Sequence, residues 1–411
     1  MPDADKDTKT HRGVTYRLLP GSKANGYKLS GLAGACRFVW NAILAQINEE
    51  YDAVKDTDEK NPSVSFFSLG QRFTALRQET PWLPDYSFAI VRYGLKYQAD
   101  AWSGFFKVQR SHPQFHSKYG STPSFTIPDN VKIKDGTLYV PKVGWMRLRR
   151  KGGNPYPDGT PKQATVKKEG RYWNVSVNYE IDAPGYTDNG VAVGVDLNTY
   201  NVAWTDTEGE CGMLAIPKLT KSEIRIRRYQ RKLARQQKGS NRRRGTKRKI
   251  AKWKRTQKNQ RKNRDHHNSR ILANQAEVLV REDLKLKNMT KSAKGSVENP
   301  GTNVNAKAGL NRVMLNASHG RFTTYCDYKF KTVITVDPKY TSQACNACGC
   351  IDKTNRPSQS RFKCVSCGHA DHADLNASAN ILASGIGASG RGEAFPLGTS
   401  MIRQMDTRVA A

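Results

Sequence analysis

Residues 191–197 read Val-Ala-Val-Gly-Val-Asp-Leu, an unbroken apolar run that closes on an acid. Continuous apolarity over a strand's length predicts a β-strand covered on both faces, as at the centre of an α/β sheet. An acid in such a place is costly unless it binds a cation or finds a partner, which singles out Asp196. Val278-Leu279-Val280-Arg281-Glu282-Asp283-Leu284 is a second run of this kind and places Glu282 at its end. Asn201-Val202-Ala203-Trp204-Thr205 is expected to form a hairpin with the first run, and Val333-Ile334-Thr335-Val336 a further strand. Beyond these lies Ala373-Asp374-Leu375-Asn376-Ala377-Ser378-Ala379-Asn380-Ile381-Leu382, read as a helix opened by Asp374 and packing on the sheet. Three carboxylates brought together repel one another and raise one another's pKa values. Hard oxygen ligands with open positions suit Mg²⁺ or Mn²⁺. Taken singly, each acid also reads as a helix cap or a surface residue. Asp206, Asp283 and Asp371 stand nearby, and spacing alone does not exclude them.

Between the last strand and that helix, Cys345-x-x-Cys348 and Cys364-x-x-Cys367 are separated by fifteen residues. Two such knuckles supply four thiolates in a tetrahedron around one structural Zn²⁺, leaving no position for a water nucleophile. Gly349 and Gly368 follow the second cysteine of each pair, where a tight turn suits glycine. Cys350 breaks the pair spacing, and Cys36, Cys211 and Cys326 read as simple core residues.

Charge dominates the composition. Lys and Arg number 68 against 36 Asp and Glu, a net charge of +32 on 411 residues. Such a surplus calls for a polyanion, and nucleic acid is the expected partner. With a phosphodiester in reach, two divalent ions held by the three acids can activate a water and stabilise the leaving oxygen. Residues 218–264 hold 22 Lys and Arg with almost no acid, and read as two basic helices joined near Gly239-Ser240 and Gly245. Arg242, Arg243, Arg244, Lys247, Arg248 and Lys249 are the candidate phosphate contacts there. No run of about 18 apolar residues and no signal-peptide core appears, so an intracellular protein with reduced thiols and no membrane contact is expected.

Toward the N-terminus, residues 1–13 are polar and expected to fray, and Val14–Leu19 alternates as a strand ending at Pro20-Gly21. Leu32, Cys36, Val39, Trp40, Ile43, Ile47 and Tyr51, then Phe88, Val91, Leu95, Ala99, Trp102 and Phe106, recur at helical steps and predict a small helical unit from 30 to about 110. From about 120 to 180 the period becomes two. Asp135-Gly136 and Glu169-Gly170 mark hairpin turns in what reads as a small β-barrel completed by the strand near residue 16, with the helical unit inserted. Residues 287–305 read as a mobile loop, and the Gly-, Ala- and Arg-rich C-terminus as a loosely ordered tail.

In this order, Gly194-Val195-Asp196-Leu197, Val280-Arg281-Glu282-Asp283-Leu284, Thr341-Ser342-Gln343-x-Cys345-x-x-Cys348-Gly349, Cys364-x-x-Cys367-Gly368 and Ala373-Asp374-Leu375-Asn376-Ala377 resemble the TnpB family, transposon-encoded relatives of the type V CRISPR effectors. Tyr16-Arg17-Leu18, Val39-Trp40-Asn41, Ser124-Phe125, Pro141-Lys142-Val143-Gly144 and Ala308-Gly309-Leu310-Asn311 extend the resemblance over nearly the whole chain. It implies a multidomain α/β protein, with an RNase H-like RuvC nuclease domain at 189–340 and 371–384, including the basic helices 218–264. It further implies a zinc-ribbon insertion at 341–370, a wedge β-barrel at 1–29 and 119–188, a helical recognition insertion at 30–118 and a tail at 385–411. It implies Asp196, Glu282 and Asp374 as ligands of two Mg²⁺ or Mn²⁺ ions, and Cys345, Cys348, Cys364 and Cys367 as ligands of one Zn²⁺.

The implied activity is RNA-guided DNA cleavage by a monomeric ribonucleoprotein in a prokaryotic cytoplasm, at the nucleoid. The guide RNA is made from the transposon's own end, and the target is double-stranded DNA, read mainly by base pairing. Arg281 departs from the family pattern, with a phosphate or Glu282 as its expected partner. Three other readings stand beside this one. They are a compact CRISPR-type effector with a separately encoded guide, a nuclease-silent DNA-binding repressor, and a transposase that joins DNA ends. The three intact acids speak against the repressor.

Overall fold

The first strand begins earlier than the alternation at Val14 predicts. β1 runs Lys9–Leu19, with Lys9 opposite Asp182 and Gly13 opposite Asn178. Its polar start is held by a backbone ladder, which needs no apolar side chains, so residues 9–13 are not frayed. The computed structural model describes residues 9–149, 157–183 and 185–388, and the chain divides into two compact units, Met1–Pro184 and Gly185–Ala411. The expected fraying of residues 1–8 lies outside the described residues.

In the first unit, β1 leads through Gly21, at φ +77°, into α1 (Lys23–Val54). The Ser22 side chain caps that helix by accepting from the Asn25 N–H at 3.1 Å, so helix starts ahead of residue 30. α2 (Phe66–Glu79) and α3 (Phe88–Phe106) follow. Leu32, Val39, Ile43, Ile47, Val91, Leu95 and Trp102 are buried as their spacing predicts. Phe88, at the mouth of α3, is 42% exposed and is not core.

The chain then returns to the sheet with β2 (Ser124–Ile127), β3 (Ile133–Lys134), β4 (Thr137–Val140), β5 (Gly144–Arg149), β6 (Thr160–Glu169) and β7 (Tyr172–Asp182). The antiparallel order is β2-β6-β7-β1-β5-β4-β3, so β1 is central and the helices form an excursion between it and β2. Asp135 and Gly136 both have positive φ, as a two-residue hairpin of the expected kind requires.

The second unit is built on β8 (Ala192–Leu197), β9 (Asn201–Asp206) and β10 (Cys211–Ala215), then α4 (Thr220–Ala234), α5 (Asn241–Gln275) and β11 (Val278–Glu282). α6 (Leu286–Met289), α7 (Val304–Ala317), α8 (His319–Asp327) and β12 (Thr332–Val336) follow. The strand order is β10-β9-β8-β11-β12, with β8, β11 and β12 parallel and the β8–β9 hairpin antiparallel. One face of the sheet, through Val193, Val195 and Leu279, packs on Leu272, Phe322 and Cys326 from α5 and α8. The other face, through Ala192, Val278 and Val280, packs on Ile381 and Leu382 of the last helix. That two-sided cover is what the apolar run at 191–197 demands.

Gly245 lies inside α5 and joins nothing; the break between the basic helices falls at residues 235–240. Cys211 is exposed on β10, so it is not a core residue, whereas Cys326 is buried. Within 287–305, Gly295 and Pro300 pair as an isolated bridge. The zinc-motif segment adds β13 (Arg361–Lys363) and β14 (Ala370–His372), and the last helix, α9, runs Ala373–Ala388. Residues 385–388 therefore belong to a helix, and the expected tail from 389 lies outside the described residues. Among the described residues, no helix is long and apolar enough to cross a membrane.

Candidate metal and nucleic-acid sites

Asp196 and Glu282 occupy the C-terminal ends of β8 and β11, which are hydrogen-bonded neighbours. Asp374 stands in the first turn of α9, which packs on that sheet. Close approach of helix and sheet depends on two glycines. A Cβ on Gly194 would lie 2.4 Å from the Ser378 carbonyl oxygen, and one on Gly385 would lie 2.3 Å from Val280 Cγ1. The Thr205 and Ser378 hydroxyls meet at 2.7 Å across the same seam.

Burial pushes the Asp196 carboxyl up to about 6, and the charges of Glu282 and Asp374 add to the rise; the Asn198 hydrogen bond and Arg356 oppose it. Burial raises the Glu282 carboxyl too, against a hydrogen bond from Thr341. Asp196 therefore feels the charge of both other acids named from the sequence.

Each acid is held by a polar neighbour that sequence patterns did not single out. Asn198 Nδ2 donates to Asp196 Oδ2 at 2.8 Å, and Thr341 Oγ1 donates to Glu282 Oε1 at 2.6 Å. Asp374 accepts from Asn201 Nδ2 at 3.3 Å and from Arg356 Nη2 at 3.2 Å. Its backbone N–H donates to His372 Nδ1 at 3.2 Å. Further back, the buried His319 ring meets the Asn198 carbonyl oxygen at 2.9 Å and fixes the turn after β8. Among the described residues, Asp196 Oδ1 and Glu282 Oε2 have no protein donor, while both oxygens of Asp374 are engaged. Partly buried carboxylates such as Asp196 and Glu282, each with one open oxygen, fit hard divalent cations.

The nearby acids have other duties. Asp206 accepts the backbone N–H groups of Glu208 and Glu210 in the β9–β10 turn. Asp283 pairs with Lys285, and Asp371 accepts the His372 N–H. Arg281 does not pair with Glu282: its Nη2 donates to Asp327 of α8 at 2.8 Å.

The four cysteines converge as their spacing predicts. Their sulfurs all lie within 4.8 Å of one another, with Cys345–Cys367 at 3.7 Å and Cys348–Cys364 at 3.6 Å. A Zn–S bond of about 2.3 Å in a tetrahedron sets its sulfurs about 3.8 Å apart, so the cluster fits zinc. Gly349 and Gly368 both sit at φ +73°, and their N–H groups donate back to the Cys345 and Cys364 carbonyls at 2.8 and 3.1 Å. Hydrogen bonding from the Cys367 N–H lowers the Cys364 thiol, whereas burial raises that of Cys345 within the same quartet. Cys350 stays outside the quartet and contributes its carbonyl to the Cys345 N–H at 3.0 Å. Asn355, fully buried, bridges the Gln343 and Cys350 carbonyls and accepts from Val365 N. Among the described residues, the three acids form no comparably tight group.

The zinc-motif segment is fastened to the acids. Asn376 and Asn380 of α9 both donate to the Ala344 carbonyl, at 2.8 and 2.7 Å, and Asn380 also reaches the Thr341 carbonyl. Thr341 and Arg356, which touch Glu282 and Asp374, belong to this same segment.

Along α5, Arg242, Arg244, Lys247, Arg248 and Lys249 are exposed. Arg243 is not available in the same way: its guanidinium donates to the Leu233 and Gln236 carbonyls and closes the C-terminus of α4. Between the two helices lies a cleft lined by Arg228, Arg231, Lys232, Arg235 and Lys249 around Tyr229.

Sequence comparison adds a family to this geometry. Residues 176–293 match an OrfB/IS605 family model described as "Probable transposase", and residues 319–381 match "Cas12f1-like, TNB domain". Residues 10–56 match a model described as "Helix-turn-helix domain", yet there the structure has β1 and the one long helix α1. The chain is 32% identical over 411 residues to "Putative RNA-guided DNA endonuclease InsQ" of Escherichia coli (strain K12), covering 98% of this chain and 99% of the relative. The chain belongs to the TnpB family. A second relative, "Putative RNA-guided DNA endonuclease" of Streptomyces pristinaespiralis, is 25% identical over 422 residues, covering 97% of each chain. The solved Cas12f1–sgRNA–target DNA complex shares the fold, with a TM-score of 0.54 at 13% identity, over 87% of this chain and 82% of that one. This TnpB chain thus joins the fold shared with that complex to a cluster of four thiols.

Proposed function

We propose that this chain is an RNA-guided DNA endonuclease of an IS605-type transposable element, loaded with a guide RNA derived from the transposon's own end. The reading is supported by the placement of Asp196 and Glu282 at adjoining strand ends with Asp374 in the first turn of the helix that packs on that sheet, and by the upward push that burial and its two acidic neighbours give Asp196. In this reading the second unit holds an RNase H-like RuvC domain and a zinc ribbon. The first unit is a wedge barrel with an inserted helical recognition part. The partners are guide RNA and double-stranded DNA, in a monomeric cytoplasmic complex.

Asp196, Glu282 and Asp374 would hold two Mg²⁺ or Mn²⁺ ions, which activate water and stabilise the leaving oxygen of a phosphodiester. Asn198 and Thr341 orient Asp196 and Glu282 by occupying one oxygen of each. Arg356 pairs with Asp374 at 3.2 Å and would hold that carboxylate in place. Zn²⁺ would hold the segment that carries Thr341 and Arg356.

The test is cleavage of a plasmid in Mg²⁺ by the purified complex, with its copurified RNA sequenced and then replaced by RNA carrying a new guide. Cleavage that follows the new guide is expected. Cleavage indifferent to the guide, or none with any metal, would overturn the proposal. A repeat-derived RNA in place of a transposon-end transcript would move the chain to the CRISPR-type effectors.

A further inference from the structure

The first unit contains a cleft of about 310 Å³ between the end of β1, the first turns of α1 and the β6–β7 hairpin. Arg17, Lys23, Lys168 and Arg171 line it, and none of its described lining residues is acidic. The cations are set against rings. The Arg17 guanidinium lies 3.8 Å from the Tyr172 centroid, Arg171 lies 4.9 Å from the same ring, and Lys168 lies 5.3 Å from that of Trp173. Lys168 also donates to Ser30 Oγ at 3.4 Å, tying the hairpin to α1. At the rim, Tyr27 is 76% exposed.

Four like charges in so small a space repel one another, and ring contacts return only about 0.5–2 kcal/mol each. An anion resolves the conflict. The exposed ring specifies the anion further: a base stacks on an aromatic face while its phosphate meets the cations, and every base offers such a face. A volume at the lower end of small-ligand sites leaves room for about one nucleotide.

We propose that this cleft binds a single unpaired nucleotide, with its phosphate among Arg17, Lys23 and Arg171 and its base against Tyr27. The inference rests on the guided-nuclease reading for its two sources, the guide RNA and a displaced DNA strand, which share this chemistry.

The test uses the full chain purified with RNA labelled in the cell by 4-thiouridine. The complex is irradiated and its cross-linked peptides are mapped. A second arm adds a target duplex with 5-iododeoxyuridine in the displaced strand. A cross-link at Tyr27 or Tyr172 is expected in one arm, and the arm names the source. The Arg17→Gln/Arg171→Gln variant should bind that strand about tenfold more weakly, with its salt slope lowered by about 1 to 2, at unchanged melting temperature. Tyr27→Leu, which alters an exposed side chain, should lose the Tyr27 cross-link without changing that slope. Absence of any cleft cross-link in both arms, with wild-type affinity in the double variant, would overturn the site. Failure of the nuclease reading looks different: a complex that retains its RNA and cross-links here, yet never cuts matched DNA.

Discussion

The second unit assembles its four thiols and its three strand-end and helix-start acids in contrasting ways. The four thiols come from two short knuckles and close on one another within 4.8 Å. The three acids come from two strand ends and a helix start, brought together only by the sheet and by α9. The first set is a local chelate whose spacing in sequence is its geometry. The second is a product of the fold: burial raises Asp196, and the charges of Glu282 and Asp374 add to the rise. The sets are nonetheless joined, because Thr341 and Arg356 of the zinc-motif segment touch two of the acids.

The sharpest way to break the contrast is to remove one ligand from each set. Asp196→Ala should lower plasmid cleavage by about a thousandfold or more, leaving RNA and DNA binding in place. Wild-type cutting would remove Asp196 from the metal site. Cys345→Ser or Cys364→Ser should abolish the one equivalent of zinc found by elemental analysis and, through loss of Thr341 and Arg356, depress cleavage as well. A variant that keeps its zinc would contradict the four-thiol assignment.

Acidity separates the sets next. With its folded value near 6 against an unfolded value near 3.8, Asp196 holds its proton more tightly in the native state. It therefore contributes stability below about pH 4 that is lost as the pH rises through 6, about 3 kcal/mol in all. Glu282 is shifted in the same direction. In chelator, Asp196→Asn should match wild type in urea unfolding at pH 4 and exceed it by up to about 3 kcal/mol at pH 7. A difference that does not grow with pH would mean that Asp196 is not buried as described.

Smaller effects probe the bridge between the sets. Thr341→Val keeps every ligand but frees Glu282, and should cost about ten- to a hundredfold in activity or in the Mg²⁺ concentration needed. An unchanged Mg²⁺ titration would argue that the zinc-motif segment does not position Glu282. Smallest of all are single changes on the basic helices. Arg244→Ala should reduce the salt slope of nucleic-acid binding by about 1 with little change in melting temperature. Arg243→Ala should lower melting temperature through the uncapped end of α4. Identical behaviour of the two would erase the distinction drawn between them.

The same contrast explains what was legible beforehand. Apolar runs ending in acids, paired cysteines at fixed spacing and a density of positive charge announce strands, a zinc cluster and a polyanion surface, because each signal is local. Fine polar support is not local. Thr341 lies inside a quoted motif and Asn198 just past the end of one, but nothing in their identity says which oxygen they hold. Arg356 sits in the spacer between the knuckles, where no pattern marks it. The contact of Arg281 with Asp327 was not legible because its partner comes from a helix much later in the chain. Residues 9–13 and Cys211 were misjudged because backbone pairing decides strand membership and an edge strand leaves a cysteine outside.

The bare hydrogen at Gly194 has a practical corollary. A methyl group there would collide with the Ser378 carbonyl and pry the closing helix from its bed, carrying Asp374 off with it. Such a protein would keep every acid and every thiol and still be inert. Surveys that sort these chains into active and dead by checking three letters would file it on the wrong side.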